Sequence, residues 1–197
     1  MPSTTIAPTL EDRLRTTGAL LQGHFQLSSG LHSPHYIQCA RLLQHPGHAA
    51  WACARLAERI TGTIDVVVGP ALGGVIVAYE LARALGVRAL FTERVDGVMQ
   101  LRRGFAVGAD ERILVAEDVV TTGKSAREAV AALHTAGGRV VGLASLVDRS
   151  GGTVEYGVPF VSLLPLEVTA YAPARCPLCA AGQPVNQPGS RPPAATE

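Results

Sequence analysis

Two acids and a hydroxyl-rich turn stand together in the stretch Ile113 to Ser125, which reads Ile-Leu-Val-Ala-Glu-Asp-Val-Val-Thr-Thr-Gly-Lys-Ser. The carboxylates of Glu117 and Asp118 can accept hydrogen bonds from neighbouring sugar hydroxyls. The turn Thr121-Thr122-Gly123-Lys124-Ser125 offers N–H and O–H donors and leads into a helix, whose N-terminal dipole favours an anion. Side by side, these two devices suit a phosphorylated sugar. The apolar run Ile113 to Ala116 has the character of a buried parallel strand. Ala126 to Leu133 carries apolar residues at helical spacing.

Spacing excludes two commoner phosphate loops. Gly123-Lys124-Ser125 resembles the end of a Walker A loop, but the position five residues before Gly123 is Asp118 where that loop needs glycine. A carboxylate there would repel a triphosphate. Gly69-Pro70-Ala71-Leu72-Gly73-Gly74 lacks the glycine spacing of a dinucleotide-binding turn. Its small residues still allow close backbone approach to a ligand, and successive N–H groups can form an anion nest.

The positioning elements follow from pattern. Leu10 to Leu21 reads as an amphipathic helix ended by Gly23, and Gly23 to Gln38 as a loop-rich cap that becomes extended after Pro34. His45 to Ile60 is expected to be helical, with Pro46 in its first turn. Strands are expected at Asp65–Val68, Val87–Glu93, Arg139–Val147 and Phe160–Leu166, with a helix at Val75–Leu85. The connection Arg94 to Asp110, about seventeen residues long, exceeds an ordinary βα loop and implies a function or a hairpin. From Pro173 onward, Pro, Gly and small residues predict a tail. The alternation of strand and helix predicts an α/β fold: a central, mostly parallel sheet flanked by helices, with a ligand at the carboxyl ends of the strands. Gly69 to Gly74, Glu117 to Ser125 and Asp148 to Gly152 all begin where an expected strand ends.

Composition narrows the class. With 197 residues, 47% hydrophobic and 17% charged, the chain can bury a full core and is not of the disordered type. A net charge of +1 gives no support to nucleic-acid binding. No apolar run reaches the length of a membrane span, and no basic segment followed by an apolar run opens the chain. A cytoplasmic protein without membrane partners is expected. The basic residues comprise 16 arginines and one lysine, Lys124.

The apolar strand, two acids, two apolar residues and Thr-Thr-Gly-Lys-Ser resemble the ribose-phosphate signature of type I phosphoribosyltransferases. The segment Phe25 to Pro34, with Phe-Gln-Leu-Ser-Ser-Gly before Ser33-Pro34, resembles the orotate branch of that family. The resemblance covers roughly residues 10–180. It implies the type I fold with a small N-terminal hood: one domain over 1–180, its hood mainly 20–42 plus a C-terminal segment, its core 60–167, and a tail at 181–197.

The resemblance also implies a reaction, in which orotate displaces diphosphate from 5-phosphoribosyl 1-diphosphate (PRPP) with Mg²⁺ carried mainly by substrate oxygens. PRPP would be bound by Gly73, Gly74, Arg94, Glu117, Asp118, Thr121, Thr122, Gly123, Lys124 and Ser125. Orotate would be bound by Tyr36, Ile37, Thr121 and Arg149; a guanidinium fork suits its carboxylate. A homodimer is implied, because in the family a mobile loop closes over the neighbouring subunit's site.

The chain departs from the family pattern in its lysines. Ser28 and Gly73 stand where many members place lysine, and the mobile loop has none. Arg102 and Arg103 are the cations left to stabilise leaving diphosphate, electrostatically and not as acids, with Asp118 the third catalytic candidate. No protein metal site is expected: His24, His32 and His35 have no ligand-like spacing. Cys176-Pro177-Leu178-Cys179 remains open between a structural turn with two reduced thiols, half a zinc site and a redox pair. Two rival functions also stay open: a phosphoribosyltransferase for another base, and a non-catalytic PRPP-sensing regulator on the same fold.

Overall fold

The computed structural model describes residues 7–27 and 29–188. Ser28 and the last nine residues of the expected tail lie outside the described residues. The first helix, α1 (Leu10–Thr16), is closed by a capping box. Thr9 Oγ1 accepts from the Asp12 N–H at 3.2 Å, and Asp12 accepts from the Thr9 N–H at 2.9 Å. It is shorter than the expected Leu10–Leu21. Thr17 caps it and Gly18 turns the chain at φ 65°, so Leu20 and Leu21 open a strand instead.

That strand, β1 (Leu20–Gln26), pairs antiparallel with β2 (His32–Ile37) in a separate two-stranded sheet, with a register shift between Gln22 and Phe25. The expected loop-rich cap is therefore a hairpin. A short helix, α2 (Ala40–Leu43), precedes α3 (Pro46–Ala57), where Pro46 occupies the first turn as expected.

The main sheet has the strand order β5-β4-β3-β6-β7-β8. Its members are β3 (Val66–Pro70), β4 (Arg88–Val95), β5 (Val98–Leu101), β6 (Arg112–Val120), β7 (Arg139–Asp148) and β8 (Phe160–Pro165). All neighbours run parallel except β4 and β5. The long polar connection contains that hairpin, turning at Asp96-Gly97. Helices α4 (Gly73–Leu85) and α5 (Lys124–Thr135) complete the βα units. Among the described residues no helix is long and apolar enough to cross a membrane.

Successive strand residues face opposite sides, which divides the core. Val67, Leu114 and Leu146 join Leu14, Leu56 and Leu81 on one face; Val66, Val68, Ile113 and Val115 join Ala129 and Leu133 on the other. Each fully buried Val or Leu contributes about 1.5–3 kcal/mol. Both faces of β3 and β6 are covered, which explains their unbroken apolar runs.

The chain beyond Pro173 is not a free tail. A 3₁₀ turn (Pro173–Arg175) and α6 (Pro177–Ala180) lead back to the hood. Asn186 N–H donates to His24 O and Gln26 N–H to Asn186 O, while His32 and Tyr171 exchange both backbone bonds.

Candidate active site

The parallel register brings the functional loops to one edge. Val68 is level with Val115, and Val120 with Asp148. The end of β3 at Pro70 therefore lies beside the acids of β6, and the end of β7 beside the turn into α5. Glu117 and Asp118 fall inside β6, not after it as the apolar run alone implied.

The loop after β3 crosses the end of β6 at very close range. A β-carbon on Gly74 would stand 2.8 Å from Ala116 O, one on Gly73 2.5 Å from Asp118 Oδ1, and one on Gly69 2.1 Å from Gly74 O. No side chain fits at these positions, so the glycines are required by packing. Leu72 between them is exposed, and the Ala71–Leu72 peptide is cis.

Glu117 is 8% exposed. Burial first, and then the neighbouring Asp118 charge, pushes its carboxyl well above the usual range. Burial also raises Asp118, offset in part by the Val119 N–H that donates to its Oδ1 at 2.8 Å. Neither acid has an ion-pair partner among the described residues. Two neighbouring uncompensated carboxylates favour a ligand that brings donors or a cation.

Beside them is a cavity of about 310 Å³, lined by Glu117, Val119, Val120 and residues 121–126. Gly123 enters α5 in the left-handed region, φ 69°, and no side chain caps the helix. A β-carbon on it would meet Tyr156 Oη at 2.6 Å and Val154 at 2.5 Å. Arg127 donates to Thr122 O at 2.6 Å and holds the turn.

Arg94, from the end of β4, donates to Ser125 Oγ at 3.2 Å and pairs with Glu128; Lys124 Nζ lies 3.8 Å from the same carboxylate. Glu128 thus gathers two cations at the turn into α5. A broader hollow of about 620 Å³ lies between β5 and α5, but its lining is largely apolar, with Glu128 its one charged group. The smaller cavity is the one with polar and titratable lining.

The hood faces this edge through β2. Tyr36 and Ile37 lie at its end. Burial raises the Tyr36 hydroxyl, and the charges of Arg149 and Asp118 both act on it. Arg149 follows β7, its N–H bonded to Val120 O at 2.8 Å. Its Nε is buried without a partner, no carboxylate pairs with it among the described residues, and burial lowers its pKa. A partly desolvated guanidinium with no anion beside it favours a ligand that supplies one.

Arg102 and Arg103 are not part of this group. Both turn back onto Glu93 of β4, at 3.8 Å and 2.9 Å, with side chains 50% and 59% exposed. Sequence reasoning missed Glu128 and Tyr156. Glu128 stands four residues after Lys124, an ion-pair spacing readable in a helix. Tyr156 gives no local signal. Its hydroxyl is buried without a partner, and burial pushes its pKa to about 12.

The histidines have no ligand-like spacing along the chain, but the fold sets two of them beside two cysteines. His24, His32, Cys176 and Cys179 place one donor atom each within 4.8 Å of one another. Hood and C-terminal segment converge only after folding, so spacing along the chain conceals the group.

A mostly parallel α/β sheet whose carboxyl edge gathers a glycine loop, two acids and a capless helix start is the arrangement of a phosphoribosyl-transfer class of protein, and the family match bears this out. Residues 40–169 match the phosphoribosyl transferase domain. The chain is 56% identical over 176 residues to the orotate phosphoribosyltransferase of Pelotomaculum thermopropionicum, covering 89% of this chain and 93% of that protein. It is 53% identical over 183 residues to that of Heliobacterium modesticaldum, covering 91% and 96%. Among solved structures, the orotate phosphoribosyltransferase from Aeropyrum pernix superposes with a TM-score of 0.70 at 31% identity, covering 80% of this chain and 94% of that one. The chain belongs to the phosphoribosyl transferase family and, within it, to the orotate phosphoribosyltransferases.

Proposed function

We propose that this enzyme transfers the phosphoribosyl group of PRPP to orotate, giving orotidine 5′-phosphate and diphosphate in pyrimidine biosynthesis. The relatives' common name supports orotate over another base and over a regulator. In the structure, the observation that carries the reading is Arg149. A half-buried guanidinium with no counter-ion among the described residues, its Nε sealed off without a partner, beside Tyr36 and at the same sheet edge as the acids, suits a base that bears a carboxylate.

The bond from the ribose anomeric carbon to diphosphate breaks, its electron pair leaving on oxygen, and a bond to N1 of orotate forms while N1 loses its proton. Charge grows on the ribose and on the leaving group. In this reading Glu117 and Asp118 accept from the ribose hydroxyls, and the backbone at Gly73 and Gly74 takes diphosphate. Residues 121–125 hold the 5-phosphate with Arg94 and Lys124 as local cations. Tyr36, Ile37 and Thr121 seat the base against Arg149.

The residues fit a magnesium-bearing substrate: Glu117 and Asp118 are uncompensated hard-oxygen donors, the kind that ion takes. They are the carboxylates available to an ion carried mainly by PRPP oxygens. When bound, Mg²⁺ neutralises the leaving diphosphate. Arg102 and Arg103 add positive charge to the leaving group from a loop that closes on the site of a second subunit; their exposure and their position in the connection just after β5 support this. A homodimer in the cytoplasm, with no nucleic-acid or membrane partner, completes the proposal. Turnover of orotate with PRPP and Mg²⁺, and none of hypoxanthine, is the expected result; turnover of the purine alone would overturn it.

A further inference from the structure

We propose that His24, His32, Cys176 and Cys179 bind one zinc ion that fastens the C-terminal segment to the hood. His24 Nε2 lies 3.5 Å from Cys176 Sγ and 3.7 Å from Cys179 Sγ, and His32 Nδ1 lies 3.2 Å from Cys179 Sγ. In a tetrahedral zinc site with bonds of about 2.3 Å to sulfur and about 2.05 Å to nitrogen, neighbouring N and S ligands stand about 3.6 Å apart. The three N–S distances bracket that value. The two ring nitrogens, at 2.8 Å, need to part by about half an ångström to reach the N–N edge of about 3.3 Å. Four donors mutually within 4.8 Å leave room for one ion and not a cluster. Two thiolates with two imidazoles in a tetrahedral arrangement are a donor set of structural zinc sites.

The surroundings prepare the site. Gln183 O lies 2.8 Å from His24 Nδ1, so it accepts that ring's proton and leaves Nε2 free to ligate, the usual arrangement for a metal-bound histidine. His24, His32 and Cys176 are buried. Backbone bonds hold the ligands from both sides: His32 with Tyr171, and His24 with Asn186.

The need for a staple is visible in the packing. The 3₁₀ turn and α6 together bury no residue of their own, and Cys176 beside them is the buried anchor. A short segment with so little core of its own rests on its backbone bonds to the hood, and a cross-link adds what burial does not. The ion would also brace β2, which carries His32 at its start and Tyr36 and Ile37 at its end.

Zinc is to be measured by elemental analysis on the full, untagged chain, purified reduced and without chelator. About one zinc per chain is expected, falling at least tenfold in Cys176→Ser and Cys179→Ser and unchanged in Cys39→Ser. Cobalt added to the metal-stripped native chain should give the visible bands of a tetrahedral thiolate site, a readout that depends on no variant folding. A native chain that holds no zinc after dialysis against it, a Cys176–Cys179 disulfide in the reduced preparation, a zinc content unchanged in the double Cys→Ser variant, or iron in zinc's place would each overturn the proposal.

Discussion

The main chain at Gly73 is packed so tightly on the Asp118 carboxylate that a β-carbon there would stand 2.5 Å from Oδ1 and 2.6 Å from Cγ. The loop after β3 and the acids of β6 therefore form one surface, and a change in either is felt in the other. Gly73→Ala must displace the carboxylate or the loop. PRPP KM should rise about tenfold or more, equivalent to about 1.4 kcal/mol, with a stability loss of about 1–3 kcal/mol from overpacking. Steady-state kinetics and a thermal melt check both; an unchanged KM would separate the loop from substrate.

Glu117→Gln should stabilise the fold at neutral pH while weakening PRPP binding. The folded-state carboxyl lies above its unfolded value through burial and the Asp118 charge. Such a group is no burden below the unfolded pKa, and stability is lost as pH rises through the folded one. The variant's advantage in melting temperature should thus be absent near pH 4 and grow towards neutrality. A variant less stable at pH 7 would contradict the assignment.

Glu128→Ala should act on binding more than on folding. Glu128 holds Arg94 and Lys124 at the turn proposed to take the 5-phosphate, and such partly exposed pairs contribute little to stability. Loss of their alignment should raise PRPP KM about tenfold, leaving the melting temperature within a few degrees. A kcat effect without a KM effect would point elsewhere.

Arg102→Ala with Arg103→Ala tests whether arginines replace the missing loop lysines. Both pair with Glu93 at the exposed hairpin, so folding should hardly change. If they reach the leaving group in the closed enzyme, kcat falls about a hundredfold. Near-normal turnover would make them ordinary surface charges.

The βα units were legible because a strand covered on both faces is a continuous apolar run, as at Val66–Val68 and Ile113–Ala116. The turn Thr121 to Ser125 was legible as the entry to α5 because its residues are consecutive. Leu20 and Leu21 misled because they continue a helical pattern past Thr17 and Gly18, where the backbone has already turned. The His24, His32, Cys176 and Cys179 group and Tyr156 were hidden for one reason: their neighbours come from distant segments that meet only in the fold.

The most direct test concerns Arg149 and the carboxylate it reads. kcat/KM is measured for orotate and for uracil, in the native enzyme and in Arg149→Met. The native enzyme should strongly prefer orotate, and the variant should lose orotate activity by about a hundredfold, about 2.7 kcal/mol, with uracil unaffected. Equal losses for both bases, or an undiminished preference for orotate in the variant, would contradict the account.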